Sequence, residues 1–156
     1  MNSEDITKIQ YELKIKLPDS YKKVIHSYPF GKESFGYTCM LANDIEAIIA
    51  MNKASSLHSA VHMKNITDHP CKNETLFWIG NDGGEEEYCL DISQEAGAIY
   101  KLDLETGEFT EYAHDLNCYI ERIHEIDQEI DNEERKSEER RKNAKWWEFW
   151  KRFLRI

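Results

Sequence analysis

The sequence predicts an α+β fold: an antiparallel or mixed sheet with flanking helices, followed by a C-terminal amphipathic helix. Three observations predict it. Apolar residues recur at helical spacing before residue 29 and again after residue 115. Short runs rich in aromatic and branched residues crowd between residues 76 and 112. Finally, residues 145–156, placed at about 100° per residue, divide completely into an apolar half and a charged half.

Ser3, followed by Glu4 and Asp5, reads as the cap of a first helix with Ile6, Ile9 and Leu13 on one stripe, ending near Lys16. Pro18 and Asp19 open a second helix in which Tyr21, Val24, Ile25 and Tyr28 recur, until Pro29 and Gly31 stop it. Gly36 to Leu41 reads as a first strand. Asn43 or Asp44 then caps a helix that turns Ile45, Ile48 and Ile49 inward. Leu76 to Ile79, Glu87 to Ile92, Ala98 to Leu102 and Phe109 to Tyr112 complete the sheet as a meander. Its turns fall at Asp82-Gly83-Gly84 and Glu105-Thr106-Gly107, where glycine permits positive φ. Asp115 starts a last helix whose Leu116, Tyr119, Ile120, Ile123, Ile126 and Ile130 cover that sheet. From Asp131 to Asn143 no apolar residue occurs, but Asp131 with Arg135 and Glu138 with Lys142 are acid-before-base pairs that favour a solvated helix. The expected organisation is a domain over 1–130, a charged spacer over 131–143 and a basic aromatic helix over 144–156.

A length of 156 residues with 40% hydrophobic and 12% aromatic content suffices for one domain with a real core. No apolar run before the tail is long enough for a secretory leader or a membrane span, so a cytoplasmic location is expected. The four cysteines are spread through the chain and read as reduced, mostly buried residues rather than a disulfide framework. The net charge of −10 conceals a division. Residues 1–134 hold 27 acidic and 11 basic side chains (−16), whereas 135–156 hold 9 basic and 3 acidic (+6). An acidic body repels nucleic acid and anionic lipid and speeds encounter with basic partners.

No constellation selects an active site, so no catalytic residue, metal ligand or cofactor is assigned. His58, His62, His69 and Cys71 have the residue types of a zinc tetrahedron, but no Glu stands between the first two as a zincin requires, and they read as polar loop residues. Asn81-Asp82-Gly83-Gly84 lacks the Lys-Ser/Thr of a phosphate cradle and precedes three glutamates that would repel phosphate. Glu85, Glu86 and Glu87 alternate in direction if the segment is a strand, which disfavours convergence on a cation. No local feature lowers the pKa of Cys39, Cys71, Cys89 or Cys118, and Cys89 between Tyr88 and Leu90 reads as a buried thiol.

The segment Ile9-Gln-Tyr-Glu-Leu-Lys-Ile-Lys-Leu17-Pro18-Asp-Ser-Tyr21 resembles the opening of SUKH domains, where a helix, a Leu-Pro pair and a nearby aromatic recur. Leu76-Phe-Trp-Ile-Gly80-Asn-Asp-Gly83-Gly84-Glu-Glu-Glu-Tyr88-Cys-Leu-Asp91 resembles the second signature of that superfamily, and Gly97 to Tyr100, Asp103 and the helix from Asp115 follow in order. Two departures fall on loops: Tyr28-Pro-Phe-Gly31 stands where Asn-Gly-Gly is frequent, and Glu85 where an Asp commonly follows the glycine pair. The resemblance implies a non-enzymatic binding protein. Bacterial members neutralise a co-encoded toxin, often a nuclease, and fungal relatives act as regulatory scaffolds. The acidic surface around Asp82, Glu85, Glu86, Glu87 and Asp91, with the neighbouring Tyr37 loop, is the contact region expected for a basic toxin.

The tail puts Trp146, Trp147, Phe149, Trp150 and Phe153, with Leu154 and Ile156, opposite Lys145, Glu148, Lys151, Arg152 and Arg155. Aromatic residues facing cations suit a lipid interface. The same face is also suited to docking on its own domain, on a second protomer in a homodimer, or in a partner's groove.

Overall fold

The computed structural model describes residues 1–54 and 75–153, with backbone alone over 143–153. Helix α1 spans Ser3–Leu13. Its cap is Asn2 rather than Ser3: the Asn2 side chain accepts from the Glu4 and Asp5 N–H groups at 2.9 Å, and the Asp5 carboxylate accepts from the Asn2 N–H at 2.8 Å. The helix stops earlier than expected, at Lys14, whose φ of 55° is left-handed. Helix α2, Asp19–His26, has no side-chain cap of its own at Pro18. Glu95, from the loop after the second strand, supplies it, its carboxylate accepting from the Ser20 N–H at 2.7 Å while Ser20 Oγ donates to the Glu95 carbonyl at 2.6 Å.

Strands β1 (Leu76–Asn81), β2 (Glu86–Asp91), β3 (Ile99–Asp103) and β4 (Phe109–Ala113) form an antiparallel meander in the order β1-β2-β3-β4. The turns fall where the glycines predict them, with φ of 77° at Gly83 and 70° at Gly107. One face of the sheet carries Phe77, Tyr88, Leu90 and Ile99 into the main core with Ile9, Tyr21, Ile25 and Ile48. The other carries a second cluster of Leu76, Cys89, Tyr100, Leu102 and Phe109, in which the Tyr100 and Phe109 rings stack at 5.1 Å.

Gly36 to Leu41 is not a strand. Gly36–Met40 forms a π-helix, closed by the Leu41 N–H donating to the Gly36 carbonyl at 3.1 Å. Local polar bonds win over the branched and aromatic content: the Ser34 carbonyl accepts from the Thr38 N–H and hydroxyl, and Ser34 Oγ accepts from the Tyr37 N–H. Asp127 then fixes the segment from outside, one carboxylate oxygen accepting from the Phe35 N–H at 2.8 Å and the Gly36 N–H at 3.3 Å.

The edge of β1 that a fifth strand would have covered is satisfied otherwise. The Ala42 N–H donates to the Ile79 carbonyl at 2.7 Å. Asn52, on helix α3 (Ile45–Ala54), accepts from the Trp78 N–H at 2.8 Å and donates to the Trp78 carbonyl at 3.0 Å. A side-chain amide thus replaces a strand's backbone, blunting the edge. Asn52→Ala strands both Trp78 groups and is expected to cost about 2 kcal/mol, readable as a lower urea midpoint with an unchanged slope; an unchanged midpoint would show that water replaces the amide without loss.

Helix α4 runs from Leu116 to Phe153. Its first turns close the core: Leu116, Tyr119 and Ile123 are buried, Tyr119 meets Tyr88 and Tyr112, and the Tyr119 hydroxyl donates to the Met40 carbonyl at 2.6 Å. Ile123 packs so close to Gly36 that a Cβ there would lie 2.6 Å from its methyl. Beyond Asp127, residues 128–142 are all exposed.

Candidate protein-binding site

Two turns meet at one end of the sheet. In the β1–β2 turn, Asn81 accepts from the Gly83 N–H at 2.8 Å, and one Asp82 oxygen accepts from the Gly84 N–H at 2.8 Å and the Glu86 N–H at 3.0 Å. In the β3–β4 turn, Asp103 accepts from the N–H groups of Glu105 and Thr106 at 2.9 and 2.8 Å. The Thr106 N–H, foremost, holds the Asp103 carboxyl below its ordinary range. The Leu104 N–H donates to the Glu85 carbonyl at 2.8 Å and joins the turns. Asp82 and Asp103 are therefore occupied in shaping backbone, while Glu85, Glu105 and Glu108 stand exposed.

The acidic triplet does not form one surface, because strand alternation separates it. Glu85 is exposed in the turn. Glu86 is half-buried, bound to Lys101 Nζ at 2.6 Å and accepting from the Tyr88 hydroxyl at 2.8 Å. That bond to Glu86 raises the Lys101 pKa, and burial, reinforced by Glu86, pushes the Tyr88 phenol far up. Glu87 lies on the opposite face with 6% exposure. Asp91, 8% exposed, sits at the far end of β2, where it accepts from the Ser93 N–H at 2.9 Å. Tyr37 is half-buried on the π-helix, edge-on to Tyr28 at 5.6 Å. That helix borders the first turn through Cys39, whose Sγ lies 3.1 Å from where a Gly83 Cβ would stand. Burial and the Asp82 charge push the Cys39 thiol up, away from thiolate chemistry.

Of the six residues expected at the contact, the structure thus brings Asp82 and Glu85 to one surface and adds Glu105, which the sequence places only in a turn, and Glu108, which sequence reasoning missed. The missing signal was the pairing of the two turns, a register property. Among the described residues no group of three or more His, Cys, Asp or Glu is arranged to hold a metal, and no helix is long and apolar enough to cross a membrane. His58, His62, His69 and Cys71 lie outside the described residues, as do the side chains of Trp146, Trp147, Phe149, Trp150 and Phe153.

The family model SUKH_6, described as SMI1-KNR4 cell-wall, matches residues 3–120. The chain belongs to the SMI1-KNR4 family. The matched span of this SMI1-KNR4 chain takes in α1, α2, α3, the whole sheet and the first turn of α4, and with them both acidic turns and all of the buried core but Ile123. The exposed length of α4 lies outside it. No curated protein and no solved structure matches the chain.

Proposed function

We propose that this SMI1-KNR4 chain is a non-enzymatic immunity-type protein of the cytoplasm that neutralises a cognate basic toxin, of nuclease type, by direct binding. The observation that carries the reading is the pair of joined turns presenting Glu85, Glu105 and Glu108 to solvent on a rigid hairpin end. Carboxylates held by a preordered backbone mimic the phosphate charge that a nuclease groove is built to receive, and they speed capture more than they deepen affinity.

The test is affinity capture of the tagged protein from its native cells. A single basic polypeptide whose toxicity is suppressed by co-expression of this chain is the expected companion. Glu85→Lys with Glu105→Lys and Glu108→Lys should slow association about tenfold or more at low salt and leave the urea midpoint near that of the parent. Glu86 and Glu87 are unsuited to this test, since one is paired with Lys101 and the other is buried. Unchanged association at low salt would remove the hairpin end from the site.

A second reading has its own observation: α4 continues as helix through Phe153, well beyond the matched span. This favours a regulatory scaffold recruited through its tail. A toxin gene beside this one supports the first reading, and tail-dependent relocation of several partners in cells supports the second.

A further inference from the structure

We infer that residues 144–153 bind anionic lipid surfaces, and that the exposed length of α4 separates the tail's positive charge from the acidic body. The tail alone would be drawn to such a surface, because Lys145, Lys151 and Arg152 outnumber Glu148 and alternate with Trp146, Trp147, Phe149, Trp150 and Phe153. The body would be repelled, its first 127 residues carrying 23 acids against 11 bases. Helix geometry decides between these opposed forces. From Asp127, whose carboxylate is fixed against Phe35 and Gly36, to Lys145 the helix rises about 27 Å. At physiological salt the Debye length is about 8 Å. Three such lengths uncouple the two charges, so the tail's attraction survives.

The same geometry disfavours the other occupants. No Pro or Gly follows Gly107, and α4 is helical from Leu116 to Phe153, so return of the tail to its own domain requires breaking the helix. A second copy offers no apolar receiver on its described surface. There the exposed large apolar side chains are Tyr11 and Ile130, single residues on different helices. A bilayer interface takes indole and phenyl rings without requiring a preformed groove.

Full-length protein is mixed with phosphatidylcholine vesicles and with vesicles that also contain phosphatidylglycerol, and binding is read by co-sedimentation and tryptophan emission. Of the four tryptophans Trp78 is buried, so a blue shift on binding reports the tail. Binding only to the anionic vesicles, weakened by salt, is expected. Lys151→Ala with Arg152→Ala should weaken it about 30-fold, and Trp150→Ala with Phe153→Ala should abolish it. Equal recovery in the supernatant with and without anionic vesicles at low salt overturns the inference, as does full binding by both double variants. A tail-dependent dimer that ignores vesicles overturns it in favour of a second copy, and a tail-dependent protein partner without vesicle binding in favour of a groove. Toxin capture by these variants should be unchanged, so the fate of this inference is separable from that of the hairpin reading.

Discussion

Gly80→Ala is expected to cost about 3 kcal/mol or more, enough to leave a marginally stable domain largely unfolded at physiological temperature. A Cβ at Gly80 would overlap the carbonyl carbon and oxygen of Met40. Those are backbone atoms and cannot swing aside as a side chain does. They are also held in place, because the Met40 carbonyl accepts the buried Tyr119 hydroxyl and the Ala42 N–H is bonded to Ile79. Any retreat of Met40 therefore breaks a bond to α4 or to the sheet. Gly31, where a Cβ meets nothing within 4 Å, is the control, and Gly31→Ala should unfold at nearly the parent's urea concentration. Equal midpoints for the two variants would show that the close approach at Gly80 is not a constraint.

This packing also explains how far the sequence could be read. The two-residue and 3.6-residue periods locate α1, α2, α3, the four strands and the start of α4, because each is a repeated choice of apolar residue along a local segment. The failure at Gly36 to Leu41 has a physical cause. Tyr37, Met40 and Leu41 have strand-like composition, but Ser34 and Thr38 bond locally and Asp127 bonds from 91 and 92 residues away. A single carboxylate leaves no period. The same holds for Glu95 capping α2 and Asn52 covering β1: each is one side chain serving a distant backbone. At the candidate site the turns were legible from their glycines and Glu85 from its place beside one. What the residue order could not show is that the Leu104 N–H joins the two turns, or that alternation sends Glu87 to the opposite face.

Alkaline pH should unfold the domain cooperatively. Burial pushes the phenols of Tyr21, Tyr88 and Tyr119 far above their ordinary value, and that of the half-buried Tyr28 to about 12. The sign follows from proton counting. Above about pH 10 the unfolded chain has released phenolic protons that the folded chain still holds, so stability is full below that pH and falls as pH rises. Each fully retained proton contributes a slope of about 1.4 kcal/mol per pH unit. Three buried phenols give roughly 4 kcal/mol per pH unit, which exhausts an ordinary domain's stability by about pH 12. Absorbance of ionised tyrosine at long ultraviolet wavelength and far-ultraviolet circular dichroism, followed together, check this. Their main changes should coincide. Smooth ionisation of all eight tyrosines with helix content intact would show that these phenols are open to solvent.

Because α4 is one helix from its packed first turns to Phe153, height and azimuth of the tail are set by a single count of residues. Each residue added between 131 and 143 lifts the tail by about 1.5 Å and rotates it by about 100°. Seven added residues, close to two turns, move the body about 10 Å farther from the tail along the helix axis while keeping the same side of the sheet turned toward whatever the tail grips. Two added residues change the height by only about 3 Å yet swing the domain through more than half a revolution. Insertions of the two lengths would thus separate distance from orientation, making the exposed helix at once the ruler and the protractor of the protein.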